Sequence, residues 1–448
     1  MKKYMKLTAA ALAAAMTLSL TACGGGAGSS GSTATDSGSA ATSATGEEAA
    51  LGGEEVTIKF ANYALLESGY TEFWEGVKTG FEEKYPNITI EWVTAPYGEI
   101  VNQVINQAGG GDMPDMMFGE STWVPTLVDA GLAIPVSEVF DEEYLNKFDQ
   151  NALESCMMDG EVCGLPMYDC AFMLFYNKDL FEQAGLDPNT PPTTYDEMLE
   201  MAEKLSQLTT EDGNKVYAFG QTTSSVAISG SALNSMIFNF GGTVLDENGQ
   251  LSIDNQGFKD AITMLKTLDE KGYNPQNAKL KDLRQLFATG QLAMYYDQSW
   301  GFNGVTTINP DAANFAASAM PLKGGDGDGD GASMLSGQIL LYMDNGDAQR
   351  EACRLLTEYM LTEDVLGDYI RNITPAYPVI EDMKDMELNP VLEGARDATQ
   401  NAINSPSIPM LNDLNLELCT LAQNVTVGGA DVDTAIEDFR SAAQNYVA

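Results

Sequence analysis

The chain has 448 residues, 44% of them hydrophobic, so its length suits two or three domains with sizeable cores. Its formal net charge of -42 argues against nucleic acid as a partner, because the phosphates would be repelled. It contains no histidine, which excludes a His-based catalytic triad and any histidine metal site. The surplus of acidic groups reads first as a source of solubility.

Lys2, Lys3 and Lys6 open the chain, followed by the apolar, alanine-rich stretch Leu7 to Leu20. That stretch is too short to span a bilayer comfortably and has the form of a secretory signal, expected over residues 1–22. Leu20-Thr21-Ala22-Cys23 resembles the bacterial lipobox. The resemblance implies that Cys23 is diacylated and becomes the first residue. Its lipid would hold the protein on the extracytoplasmic face of the cell membrane. Residues 23–55 are rich in Gly, Ser, Thr and Ala and read as a flexible tether. The folded part is expected to begin near Val56. Cys156, Cys163, Cys170, Cys353 and Cys419 remain, an odd number that cannot all pair within the chain. Buried thiols with at most one disulfide are expected, and no metal cluster, since a C-x-x-C pair is missing.

Val56 to Tyr63 alternates as an opening strand. Phe73, Trp74, Val77, Phe81 and Tyr85 fall at helical spacing over Tyr70 to Tyr85, and Pro86-Asn87 ends that helix. A strand over Ile88 to Val93, a helix over Tyr97 to Ala108 and a strand over Met116 to Phe118 follow. This βαβαβ order predicts a parallel, doubly wound lobe. Gly109-Gly110-Gly111 lacks the spacing of a dinucleotide fingerprint and the Lys-Ser/Thr of a P-loop. A helix also precedes it rather than follows, so no cofactor is expected. Ligands of such sheets bind beyond the strand C-terminal ends, here Asn62-Tyr63 and Glu120 to Trp123. Tyr63 and Glu120 are therefore candidate ligand contacts.

Asp159-Gly160 fits a tight hairpin turn. Gly164-Leu165-Pro166 reads as a break, because proline cannot continue a sheet ladder. Phe172 to Tyr176 has strand length. Asn177 opens the helix Lys178 to Ala184, which Gly185 ends. Gly164-Leu165-Pro166, followed ten residues later by Tyr176-Asn177-Lys178-Asp179-Leu180-Phe181-Glu182-Gln183-Ala184-Gly185-Leu186, resembles the crossover segment of the family 1 extracellular solute-binding proteins. These are the maltose-binding-protein-like receptors of ABC sugar importers. The resemblance implies an α/β fold of two lobes, each a mostly parallel sheet flanked by helices, joined by hinge strands. It also implies that Tyr168 and Asp169 lie beside the ligand. The first lobe is expected over 56–166 and the second over 167–308. A return to the first lobe and a further crossover are expected over 309–375, with C-terminal helices mainly on the second lobe over 376–448.

Thr194 to Glu197 is a capping box opening a helix to Leu208. Tyr217 to Gly220 is a short strand, Gly230 to Phe240 and Gly257 to Lys271 are helices, and Asp246 to Gly249 is a turn. A short helix over Leu283 to Thr289 precedes Gly290-Gln291-Leu292-Ala293-Met294 and the strand Met294 to Tyr296, which ends Asp297-Gln298-Ser299-Trp300-Gly301. This run resembles the family's Gly-x-x-Ala-Met strand followed by a small residue and a tryptophan. The resemblance implies that Trp300 stacks on a pyranose ring, which suits the physics of a flat apolar face. Asp326, Asp328, Asp330 and Gly331 match the start of an EF-hand loop, but Gly337 stands where the bidentate glutamate belongs. No bound metal is expected there.

Leu335 to Gln338 enters the strand Ile339 to Tyr342, and the family places small residues at this strand's start near the ligand, hence Ser336 and Gly337. A helix follows over Ala348 to Leu361. Arg371 is expected to face the ligand from the loop Arg371 to Pro375. Asn415 stands where maltose-like receptors carry a second stacking aromatic, a departure that sets maltodextrin itself in doubt. The implied function is a lipid-anchored, monomeric receptor, not an enzyme, that captures a mono- or oligosaccharide and hands it to the transmembrane subunits of an ABC permease. Two alternatives stand beside it: a receptor for a polyamine or other non-sugar solute, and a secreted hydrolase using Glu120 and Asp169 as its carboxyl pair.

Overall fold

The computed structural model describes residues 50–246, 248–325, 331–406, 408 and 410–447. The expected signal peptide, Cys23, most of the tether and the acidic stretch 326–330 lie outside the described residues. No helix among the described residues is long and apolar enough to cross a membrane.

Twelve strands are named in chain order. They are β1 (Val56–Asn62), β2 (Ile88–Val93), β3 (Met116–Glu120), β4 (Met157–Met158), β5 (Glu161–Val162) and β6 (Leu165–Asn177), then β7 (Tyr217–Gly220), β8 (Leu292–Gln298), β9 (Ala316–Ala319), β10 (Met334–Tyr342), β11 (Tyr377–Pro378) and β12 (Ile403–Asn404). The main sheet runs β2-β1-β3-β10-β6-β8-β7, with β9 and β11 on β6 and β12 on β10. β1 is parallel to β2 and β3, and β7 is parallel to β8. β10 and β6 run antiparallel to each other and to their neighbours β3 and β8.

Strand alternation builds the first lobe. Val56, Ile58 and Phe60 of β1 enter one core with Ile88, Ile90, Met116, Phe118, Leu340 and Tyr342. Ala61, Met117, Ile339 and Leu341 point the other way, into a second core with Val93, Ile100 and Val104. A sheet covered on both faces explains the nearly continuous apolar runs of its inner strands. The helix Thr71–Lys84 adds Trp74, Val77 and Phe81 to the first core, and Leu51 already packs there, ahead of the expected start at Val56. Fully burying each such side chain contributes about 1.5–3 kcal/mol.

β6 belongs to both lobes. Leu165, Met167, Tyr168 and Cys170 lie in the first lobe's core, whereas Leu174 and Tyr176 enter a core of the second lobe with Met294 and Tyr296. All thirteen of its residues are buried. The break expected at Gly164-Leu165-Pro166 is confined to Cys163 and Gly164, between β5 and β6, and does not extend to the proline. Pro166 sits inside the strand, opposite Ile339, where the register with β10 shifts between Gln338 and Ile339. Such a bulge is where a sheet tolerates a residue without an N–H.

The second lobe closes with helices from the end of the chain. Leu411–Val425 packs on Ala227–Asn239, and a Cβ on Gly230 would overlap the Asn415 backbone. The helix Ala227–Asn239 is buried from Ser229 to Asn239, so its serines and asparagines must find partners inside the protein. Asn239 accepts from the Tyr195 hydroxyl at 3.0 Å, and Asn415 Nδ2 donates to Ser231 Oγ at 3.2 Å. After Met360, Tyr369, Ile370, Ala376, Val379, Ile380 and Met383 return to the first lobe's core.

Candidate functional site

A cavity of about 480 Å³ lies between the lobes, within the range of small-molecule sites. From the first lobe it is lined by Tyr63, Tyr70, Tyr97, Phe118, Glu120, Tyr168, Gln338, Tyr369 and Thr374, and from the second by Ile228, Leu280, Lys281, Arg284, Gln298, Trp300, Asn303 and Ile308.

Three strands set one wall. Glu120 of β3 faces Gln338 of β10, and Gln338 faces Tyr168 of β6. Residues opposite one another on neighbouring strands share a face, so these three form a row toward the cavity. Gln338 Nε2 donates to Glu120 Oε1 at 3.2 Å, Tyr63 Oη donates to Gln338 Oε1 at 2.9 Å, and Tyr97 Oη donates to Glu120 Oε2 at 2.9 Å. The rings of Tyr63, Tyr97, Phe118 and Trp123 pack around this chain of bonds at centroid distances of 5.1–5.6 Å.

The opposite wall is held by an ion pair. Arg284 Nε and Nη2 donate to Asp297 Oδ2 and Oδ1 at 2.7 and 2.8 Å. The Asp297 side chain is fully buried and that of Arg284 is 15% exposed. This fork fixes the end of β8, which carries Gln298 and leads into Trp300 two residues on. Gly301 has to be glycine, because a Cβ there would overlap the Asp297 carboxylate. Trp300 lines the cavity, stays partly exposed and packs against the first lobe's core. At the mouth, Lys281 Nζ reaches Glu67 Oε2 across the cleft at 3.4 Å. Gln298 is buried, and neither of its side-chain amide atoms has a hydrogen-bond partner among the described residues.

Of the candidates read from the sequence, Tyr63, Glu120, Tyr168 and Trp300 meet in the cavity. Ser336 and Asn415 line a narrow polar space beside it, which Glu120, Tyr97 and Gln298 also border. Asp169 and Gly337 do not line the cavity. They follow Tyr168 and precede Gln338 on their strands, so strand alternation turns them to the opposite face. There the Asp169 carboxylate stands 2.9 Å from where a Gly337 Cβ would be. Arg371 is also displaced from its expected role. It lies in a helical turn over Tyr369–Ile373 and donates from Nε to the Glu387 carbonyl at 3.2 Å, outside the cavity lining. Sequence reasoning passed over Arg284, Tyr97, Gln338 and Gln298. Gln298 lies two residues before Trp300 and could have been found from that motif. Arg284 has no local signal, since only the fold brings it to Asp297.

Burial pushes the Glu120 carboxyl up to about 7, against the opposing pull of its hydrogen bonds from Tyr97, Gln338 and Thr122. An unfolded glutamate releases this proton near pH 4.5. Between those values the folded protein binds the extra proton, so the stability this group contributes is complete below pH 4.5 and is lost as pH rises through about 7. The loss is on the order of 3 kcal/mol at about 1.36 kcal/mol per unit. Urea titrations from pH 4.5 to 8 should show the wild type losing stability relative to Glu120→Gln. Parallel curves for the two proteins would refute the assignment. Subtracting the variant also removes the background of Asp169, whose carboxyl burial likewise raises to about 7.

No group of three or more acidic or cysteine side chains among the described residues is arranged to hold a metal. The sequence pattern of the bacterial extracellular solute-binding proteins matches residues 63–366, more than half of the chain. The maltotriose-binding protein of Pyrococcus abyssi is 23% identical over 378 residues, covering 82% of this chain and 76% of its own. An ABC transporter solute-binding protein of Thermotoga lettingae, solved bound with α-D-tagatose, superposes with a TM-score of 0.73 at 24% identity, over 86% of this chain and 98% of its own. The GacH receptor of Streptomyces glaucescens, solved unliganded and with acarbose, gives a TM-score of 0.75 at 20% identity over 88% and 98%. At these identities the structural likeness establishes the two-lobed fold.

Proposed function

Because the chain belongs to the bacterial extracellular solute-binding proteins, we propose that it is the carbohydrate receptor of an ABC importer, enclosing a mono- or oligosaccharide between its lobes. One observation carries this reading: the cavity is rich in aromatic rings, yet each charge that lines it is already matched within the protein. Arg284 is held by Asp297, Lys281 by Glu67, and Glu120 accepts from Gln338 and Tyr97. A neutral polyol suits such a site, because its C–H faces cover aromatic rings and its hydroxyls satisfy amides and phenols. Trp300 supplies the flat face, and the buried Gln298 amide supplies a donor and an acceptor. A relative that binds maltotriose and structural neighbours solved with tagatose and acarbose point the same way.

The polyamine alternative loses ground on the same observation, since a cation site would present carboxylates free to enclose the ligand. The hydrolase alternative loses its pair, because Asp169 does not face the cavity with Glu120. Ligand then acts by its differential affinity for the closed arrangement of the lobes, which the permease reads. Diacylation of Cys23 would keep the receptor at the membrane. The intact mass of protein extracted from cells checks this, and an N-terminus lacking diacylglycerol would refute it.

A thermal-shift screen of residues 50–448 against mono- and oligosaccharides, with polyamines alongside, tests the ligand class. A saccharide at 100 times its Kd should stabilise the protein by about 2.7 kcal/mol. A polyamine that raises the melting temperature while no saccharide does would overturn the carbohydrate reading.

A further inference from the structure

The hairpin β4–β5 turns on Asp159 and Gly160, both in the left-handed region at φ 54° and 85°. That is the requirement of a two-residue type I′ loop. Met158 pairs with Glu161 and Met157 with Val162. One step outward Cys156 faces Cys163, and the Cys163 N–H donates to the Cys156 carbonyl at 3.0 Å. Facing residues of an antiparallel pair project from the same side. Both side chains accordingly enter the same core, at 0% and 3% exposure. The Cys156 N–H turns to the Leu153 carbonyl, so the pair keeps one bond and continues the ladder by one position beyond its regular end. Facing residues of a ladder lie about 4.5–5.5 Å apart at Cα, inside the span of roughly 4.4–6.8 Å that a disulfide bridges. Among the described residues, none of the other three cysteines is placed this way. Cys170 faces Ser336 across β10, and Cys353 and Cys419 sit on separate helices.

We propose that Cys156 and Cys163, which are thiols in this structure, are joined by a disulfide in the secreted protein, closing the hairpin that leads into β6. The two S–H bonds break and one S–S bond forms. The S–S bond of a thiol–disulfide oxidoreductase, or of a small oxidant such as oxidised glutathione, breaks in turn, and its two sulfurs take up the two electrons and two protons to become two thiols. Exchange proceeds by thiolate attack through a mixed disulfide. Burial pushes the Cys156 thiol up to about 12 and raises that of Cys163 as well, so the folded thiols are protected from such attack. The bond therefore forms while the chain folds, when the hairpin is solvated and its two cysteines are close in sequence. An extracytoplasmic family meets the oxidising surroundings that this needs.

The reduced, denatured chain is refolded in a mixture of oxidised and reduced glutathione, then denatured again and alkylated without reductant. An aspartate-specific protease cuts before Asp159 and Asp169, which puts Cys156, Cys163 and Cys170 on separate peptides, and mass spectrometry maps them. The expected result is a linked pair of peptides carrying Cys156 and Cys163, two hydrogens lighter than the free pair and separated by reductant. Cys170, Cys353 and Cys419 should be fully alkylated throughout. In Cys163→Ser, Cys156 should appear alkylated or as a glutathione adduct. Alkylation of Cys156 and Cys163 in the unreduced wild type, or linkage of either to a different cysteine, overturns the proposal.

Discussion

Trp300→Ala is expected to weaken saccharide binding about 30- to 1000-fold, the equivalent of about 2–4 kcal/mol for a buried aromatic anchor. Two losses combine in this estimate. The indole, two residues beyond β8, lines the cavity and also packs against the first lobe's core. Its removal takes away both the stacking face and part of the apolar contact that favours closure. Trp300→Phe keeps a smaller ring and should retain an intermediate affinity. Calorimetric titration with the saccharide found in the screen measures all three proteins. An alanine variant within about threefold of wild type would remove Trp300 from the site.

Arg284→Met should cost about 3–5 kcal/mol of folding stability, because it leaves the fully buried Asp297 carboxylate without its cation. Binding should fall as well, since the fork anchors the strand end that carries Gln298 and leads into Trp300. The double variant Arg284→Met with Asp297→Leu replaces both charges by apolar groups and should recover much of the lost stability. Urea titration of the two single variants and the double closes the cycle. A single variant that loses less than about 1 kcal/mol would show that the ion pair is not the support described. Gly301 makes the geometry demanding, because its missing side chain is what lets the Asp297 carboxylate sit against the start of the next helix.

The lobes, the crossover and the aromatic end of β8 were legible because their signals are local or ordered along the chain. Period-3.6 spacing marked Thr71–Lys84, period-2 alternation marked β1, and Asn177 was read correctly as a cap, accepting from the Leu180 N–H. Pro166 misled because the bulge beside it, with Met167 as the extra residue of β6, exists only against β10, which lies more than 160 residues later. Asp169 and Gly337 misled for a related reason. Choosing between Tyr168 and Asp169, or between Gly337 and Gln338, requires knowing which face of a strand looks into the cleft, and a strand buried on both faces carries no alternation to reveal it. Arg371 was expected to face the ligand, but it lies outside the cavity lining, with its Nε donating to the Glu387 carbonyl. Tyr97, Gln338 and Arg284 entered the site through sheet register and helix placement, neither of which is written in any short window.

The position of β10 also bears on when the first lobe can form. It lies between β3 and β6 in the sheet, so the first lobe lacks an inner strand until residues 334–342 have been made. A ribosome must therefore complete about three quarters of the chain before that lobe can close, and contacts so distant in sequence form slowly. In a member of an extracytoplasmic family, late arrival of one central strand sets the earliest moment at which that lobe can form.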